Sequence, residues 1–277
     1  MKKIEKESLI HDLCFQNRKV KSSNSLNRSS MTFFTRPDEH LTIPVLIHFD
    51  RPLVNLMQKK FKSRTKNRLK EISKKFLKEV ERNFGHPSLN QTIHFKLQNM
   101  RFLKQNVIQM DRNGSKYLRR YCTWQGERKI WEDKWWYSVL LTGLDIYYVN
   151  EKGKKVKTST GRGYMGGFFV NNKSCTLLEW DPVNFGYLLT HEIGHSLGMS
   201  HDGPPHNNCK ASNYIMSKKY NPKNHPKSWS KCSKNDLKKF LEDVKKDQIM
   251  FFFWFSVCLQ IDNFRNGKTD FNEIFSW

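Results

Sequence analysis

Acidic residues are scarce in this chain: 26 Asp and Glu stand against 49 Lys and Arg over 277 residues, a formal net charge of +23. Such a deficit gives the surface an attraction for anions, whether glycosaminoglycans, acidic lipid, nucleic acid or acidic protein, and says nothing about fold. Cysteine is sparse as well. The six cysteines (Cys14, Cys122, Cys175, Cys209, Cys232, Cys258) contain no CxxC pair, which argues against a zinc knuckle, and they are too few for a disulfide-dense miniature scaffold. No apolar run in the first thirty residues has the length of a secretory signal, so the protein is either cytosolic or starts inside a longer precursor. The run "IMFFFWFSVCLQI" (249–261) falls short of the roughly 20 residues that a helix needs to cross a bilayer, and is expected to be a docked terminal segment or an error in the translated end, not a membrane span. There is no internal repeat. No recognised nucleic-acid motif accompanies the charge, so no specific nucleic-acid partner is expected.

What the chain does have is enough apolar material for a packed core: 37% hydrophobic residues, with twenty Phe and eight Trp. Residues 1–40 are polar, rich in Ser, Asn and Lys, and aperiodic, as in a linker or the remnant of a pro-segment. "LTIPVLIHF" (41–49), "QTIHFKLQNMRFL" (91–103) and "VLLTGLDIYYV" (139–149) carry the β-branched and aromatic residues of strands. Between the first two, Leu69, Ile72, Phe76, Val80 and Phe84 recur at helical spacing and predict one long helix over 54–84. "GRGYMGGFFV" (161–170) reads as a Gly-rich strand that a ligand or another backbone approaches closely. Further helices are expected over 183–197 and 234–246. Strand, long helix and further strands together indicate a mixed sheet with helices packed on it, of the α/β (α+β) class.

The densest chemistry lies in "HEIGHSLGMSHD" (191–202), with three of the ten histidines in twelve positions. On a helix His191 and His195 stand one above the other, while Leu189, Ile193 and Leu197 form an apolar stripe on the opposite side. Gly198 lets the chain leave the helix, and His201 can then swing back as a third imidazole. Three neutral imidazoles leave one tetrahedral position open, the arrangement of a catalytic rather than a structural zinc. Glu192 projects beside that position, where a carboxylate can take a proton from a water and pass it to a leaving amine. A surface amphipathic helix accounts for one histidine. It does not account for three ligands, a base and a turn glycine at the HExxHxxGxxH spacing.

With Asp202 after the third histidine, the sequence resembles the metzincin zinc endopeptidases, in particular the reprolysin (adamalysin) branch. Other segments agree over most of 42–244. "NYIMS" (213–217) matches the family's Met-turn and places Met216 beneath the site. "LLTGLDIY" (140–147) is similar to its LLTGxD strand, "WSKCSKNDLKKFL" (229–241) to its closing helix, and "YCTWQ" (121–125) to the FCxWQ of ADAMTS and tick members. "GRGYMGGFFVNNKSC" (161–175) resembles the family's edge strand, with Gly163 where alanine is usual.

The resemblance implies a metzincin-type catalytic domain over 41–246, with a twisted mixed sheet and a zinc cleft between upper and lower subdomains, followed by a tail over 247–277. It implies zinc on His191, His195 and His201, Glu192 as base, and hydrolysis of internal peptide bonds in extracellular proteins by a secreted monomer whose chain starts within a longer pre-pro-protein. Sequons at Asn27, Asn90, Asn113 and Asn172 are compatible with export. The family's pattern also implies a Cys175–Cys232 disulfide. The partners of Cys14, Cys122, Cys209 and Cys258 stay open, Cys122 with Cys209 being one pairing. Asp145 and Asn235 sit where some relatives hold calcium, without a convincing third carboxylate. The alternative function is a catalytically weak member whose basic surface binds anionic glycans or proteins. Eleven Lys or Arg against three Glu in residues 59–82 make that helix the expected contact for sulfated glycosaminoglycans.

Overall fold

The computed structural model describes residues 41–246, apart from 105, 133, 134, 150, 151, 158–160 and 219–224. The segments 1–40 and 247–277, including the apolar run at 249–261, lie outside the described residues. The elements belong to one compact unit that ends at Phe240, and residues 241–246 continue the last helix into a second unit.

The core is a five-stranded sheet of order β2 (Ile93–Phe102), β1 (Leu41–Phe49), β3 (Tyr137–Thr142), β7 (Cys175–Glu179), β6 (Gly161–Gly163). β1 (Leu41–Phe49) is flanked on both sides by parallel neighbours, β2 (Ile93–Phe102) and β3 (Tyr137–Thr142). Covered on both faces, its second half and all of β3 are buried, so they read as continuous apolar runs and not as an alternation. β7 (Cys175–Glu179) is parallel to β3, and the three-residue β6 (Gly161–Gly163) closes the order antiparallel to β7, so the sheet is mixed as expected. β4 (Tyr148–Val149) and β5 (Lys155–Val156) form a separate hairpin.

The predicted helix over 54–84 is two helices. α1 (Arg51–Phe61) ends at Lys62, which has φ 48°, and after one 3-10 turn α2 (Thr65–Phe84) begins. The Thr65 hydroxyl donates to the carbonyls of Lys62 and Met57, holding the bend from its inner side. The resulting rotation changes the buried stripe: Leu77 and Ser73 go in with Leu69, Phe76, Val80 and Phe84, and Ile72 is only half-buried.

The strand expected over 139–149 stops at Thr142 because of Asp50. That buried carboxylate caps α1 by accepting from the Leu53 N–H (3.0 Å), and it also accepts from the Gly143 N–H, the Thr142 hydroxyl and the Tyr117 hydroxyl. A Cβ at Gly143 would stand 2.6 Å from the Leu53 nitrogen, so only glycine lets β3 turn away there. Of the Gly-rich stretch 161–170 only Gly161–Gly163 is strand.

A helix that the sequence reading did not assign, α3 (Gly114–Glu132), lies against β7, capped by Asn113, whose side chain accepts from the Ser115 and Lys116 N–H groups. Its inner side is built from Tyr117, Leu118, Tyr121 and Cys122, all buried. Lys116, Arg119 and Arg120 interleave with that face in the sequence and hide its periodicity. α4 (Phe185–Ser196) carries the histidine motif, and α5 spans 231–246.

α3 corrects the disulfide expectation. By packing on β7 it sets Cys122 beside Cys175 at the strand's first residue, with the Cα atoms 5.8 Å apart, and these two are bonded. Cys232 pairs instead with Cys209, in the loop after His201 (Cα–Cα 6.2 Å). Neither Cys175–Cys232 nor Cys122–Cys209 forms. Peptide mapping of the unreduced protein should recover both observed pairs and neither expected one. With sequence separations of 53 and 23, the chain-entropy model gives about 4 and about 3 kcal/mol of stability. Replacing Cys122 and Cys175 by Ser should lower the unfolding free energy by more than the same change at Cys209 and Cys232, as measured by denaturant titration.

Candidate metal centre and active site

α4 has a core side and a chemical side. Leu189, Ile193 and Leu197 are fully buried. At the start of the helix Phe185 packs on Phe76 of α2 with ring centroids 5.4 Å apart, and Thr190 receives the Asn83 amide (3.1 Å). The two contacts hold the helix against α2 and fix its rotation.

Its C-terminal carbonyls, which an isolated helix leaves without partners, are all engaged by the loops around it. The His195 carbonyl accepts from the N–H groups of Gly166 and Gly198, the Ser196 carbonyl from Phe168, and the Gly194 carbonyl from Met199. Gly198 has φ 84°, a conformation that costs glycine little and other residues more. It turns the chain back so that His201 returns to the helix.

His191, His195 and His201 then converge. The Nε2 atom of His201 lies 3.2 Å from that of His191 and 3.1 Å from that of His195. Among the described residues these three make the one group of His, Cys, Asp or Glu whose donor atoms lie close enough together to hold a metal ion. Zinc–nitrogen bonds of about 2.05 Å at tetrahedral angles place imidazole nitrogens about 3.3 Å apart, so the spacing fits zinc.

Tautomers fit as well. His191 Nδ1 lies 2.7 Å from the Ile215 carbonyl and His195 Nδ1 2.8 Å from the Met199 carbonyl. A carbonyl only accepts, so each Nδ1 carries the proton and each Nε2 keeps its lone pair facing the cluster. Burial and the neighbouring imidazoles push His195 down to about 2 and His201 to about 4, and burial lowers His191. The rings are therefore neutral, the form that binds metal.

Met216 is buried beneath the helix: a Cβ at Gly194, between the first two histidines, would come within 2.7 Å of its sulfur. The Met216 carbonyl accepts from the Asp202 N–H, and Asp202 accepts from the Ser230 hydroxyl at the head of α5. His201 is thus tied to the Met216 segment and to α5.

Glu192 points to the side where β6 runs. A Cβ at Gly161 would lie 3.0 Å from its Oε1 and one at Gly163 3.0 Å from its carbonyl oxygen, so the strand lies flush on the helix because it is glycine at both positions. Burial raises the Glu192 carboxyl to about 7, against the opposing pull of the Arg162 charge and the Gly163 N–H. The structure thus brings together all four residues singled out in the sequence. It adds three groups that the sequence reading missed: the Ile215 and Met199 carbonyls, which have no side-chain signature, and Arg162. The expected calcium pair gains no support, since Asp145 is paired with Lys157 (2.6 Å) and Asn235 is an exposed residue of α5.

A mixed sheet, a helix presenting two imidazoles, a glycine turn that returns a third, and a methionine beneath them define a metzincin-type zinc peptidase domain. The family model "Reprolysin (M12B) family zinc metalloprotease" matches residues 86–250, more than half of the chain, and the chain belongs to that family. Among curated proteins it is similar to mouse "A disintegrin and metalloproteinase with thrombospondin motifs 18", 35% identical over 45% of this chain and 10% of that protein. It is similar also to the mouse protein of the same series numbered 19, 26% identical over 57% of this chain and 14% of the relative. The rat protein numbered 1 is 23% identical over 61% of this chain and 18% of the relative. The chain thus spans less than a fifth of the length of these relatives.

Because the three imidazoles are already neutral, protons compete weakly for them. Zinc affinity, measured by competition with a chromophoric chelator, should fall less than about tenfold between pH 8 and pH 6. Three imidazoles of ordinary pKa near 6.5 would lose roughly seventyfold over that range, and a loss of that size would contradict the site described.

Proposed function

We propose that the protein is a zinc-dependent metalloendopeptidase that hydrolyses internal peptide bonds of extracellular proteins, with zinc held by His191, His195 and His201 and with Glu192 as general base. The observation that carries this reading is the convergence of three Nε2 atoms, those of His191 and His195 fixed in tautomer by backbone carbonyls, next to Glu192 and to the edge strand β6. Zinc bound there supplies Lewis-acid polarisation of the scissile carbonyl and of a water. The chain's own residues do the rest. An extended substrate adds to the edge strand, which positions the carbonyl by main-chain hydrogen bonds. The Glu192 carboxylate takes a proton from the attacking water and returns it to the amine nitrogen as the peptide bond breaks, so one water is consumed and one acid and one amine are formed.

The domain assignment that goes with this reading is a catalytic domain over 41–246, working as a monomer, with 1–40 as linker or pro-segment remnant and 247–277 as tail. Two disulfides fit folding in an oxidising compartment, and so an extracellular site of action. Among the described residues no helix is long and apolar enough to cross a membrane.

Glu192→Gln should keep the fold and one zinc per chain while peptide cleavage falls by several orders of magnitude, because only proton transfer is removed. Cleavage at near wild-type rate would remove Glu192 from the mechanism. Loss of zinc from His195→Ala/His201→Ala, measured by metal analysis, checks the ligands in the same series.

A binding role for anionic glycans, alone or alongside catalysis, is favoured by one specific observation: all eleven Lys and Arg of 59–82, on α1, the 3-10 turn and α2, are exposed. One of them, Arg68, bonds Glu71 across one helical turn. Sulfated glycosaminoglycans match this surface. Changing Lys62, Arg64, Lys66, Lys70, Lys74 and Lys78 to Gln should move elution from heparin to clearly lower salt, and elution of both proteins at the same salt would show the surface to be merely solvated.

A further inference from the structure

β6 is the last strand in its sheet. One edge pairs with β7, and among the described residues no strand pairs with the other. With glycine at both ends, the strand carries a single side chain beyond hydrogen, that of Arg162. Its guanidinium lies over the Tyr148 ring, 4.4 Å from the centroid. Its Nε is buried and has no hydrogen-bond partner. Stacking on a ring leaves the in-plane N–H donors of a guanidinium unsatisfied, and a buried donor of a charged group is costly when nothing accepts from it.

Among the described residues nothing accepts a hydrogen bond from that Nε. The Arg162 charge acts on Glu192, His195 and His201, and Lys218 also acts on His201. With a divalent cation on the histidines, a single carboxylate then faces a cluster of positive charge. A further carboxylate brought by a ligand would satisfy the open donors and offset that excess.

We propose that Arg162 is a specificity residue that takes the side chain of an Asp or Glu next to the scissile bond when an extended substrate lies along β6. This rests on the peptidase reading above. An arginine that only stacked on Tyr148 and steadied Glu192 would affect all peptides alike. One that binds a substrate carboxylate affects acidic peptides at one place in the register, and leaves other positions to the general attraction of a +23 chain.

The test uses the zinc-loaded full chain carrying Glu192→Gln, so that bound peptides persist, and fluorescein-labelled heptapeptides of one Ala/Leu background with Glu or Gln placed at each position in turn. Fluorescence anisotropy should show Glu favoured over Gln roughly tenfold at one or two adjacent positions, the scale of one charge-assisted hydrogen bond. Adding Arg162→Gln should bring that ratio to about one, and Arg162→Glu should invert it in favour of Lys at the same position. Glu/Gln ratios near one in the arginine-bearing protein, equal preference at every position, or a preference unchanged by Arg162→Gln each overturn the proposal. Cleavage of the same peptides by the chain with Glu192 intact separates the two readings. Cleavage without acid preference sinks the role of Arg162 alone, whereas no cleavage of any peptide sinks the peptidase reading and the specificity with it.

Discussion

The site depends on two backbone carbonyls. Imidazole rings are free to turn about their side-chain torsions and can carry their proton on either nitrogen, so a motif alone does not make a metal centre. Ile215 and Met199 remove that freedom: each receives an Nδ1–H and leaves the corresponding Nε2 pointing inward. Both carbonyls exist where they do because α4 stops. The turn at Gly198 brings Met199 under His195, and the segment around Met216 passes beneath Gly194 with room for its sulfur. Glycine at 194 and 198 is therefore as much a requirement of the centre as the histidines are.

The rest of the fold supplies the rigidity that these contacts need. Asp50 gathers the end of β3, the start of α1 and the inner side of α3 around one carboxylate, whose pKa rises through burial against the pull of its hydrogen bonds. The Cys122–Cys175 bond fastens α3 to the strand beside β6. On the other side Asp202 and the Cys209–Cys232 bond anchor the loop after His201 to the head of α5. Glu192 gains from this enclosure. Water excluded from its surroundings lifts its pKa to about 7, the range in which a carboxylate both accepts and returns a proton at neutral pH.

The centre was legible in the sequence because its chemistry is local: His191, Glu192, His195 and Gly198 sit on one helix and its turn, where spacing alone fixes geometry. The strands β1 and β2 were legible as well, β1 from its apolar run and β2 from its β-branched and aromatic residues, whereas of β3 only 139–142 fell within the expected strand. What was not legible depends on tertiary contact. α3 escaped because its buried side is tyrosine interleaved with Lys and Arg, and with α3 unseen, Cys122 had no visible reason to meet Cys175. The break at Lys62 lies inside a run of lysines that favours continuing the helix, and the Thr65 hydrogen bonds that stabilise the bend leave no pattern. Arg162 read as one more cation in a basic chain until the fold placed it on the last strand of the sheet, over the Tyr148 ring and close to Glu192.

X-ray absorption at the zinc edge of the loaded protein tests the central claim most directly. One zinc is expected, with nitrogen or oxygen neighbours at about 2.0–2.1 Å, the outer-shell scattering of three imidazoles, and no sulfur at about 2.3 Å. A sulfur shell, or fewer than three imidazoles, would contradict it.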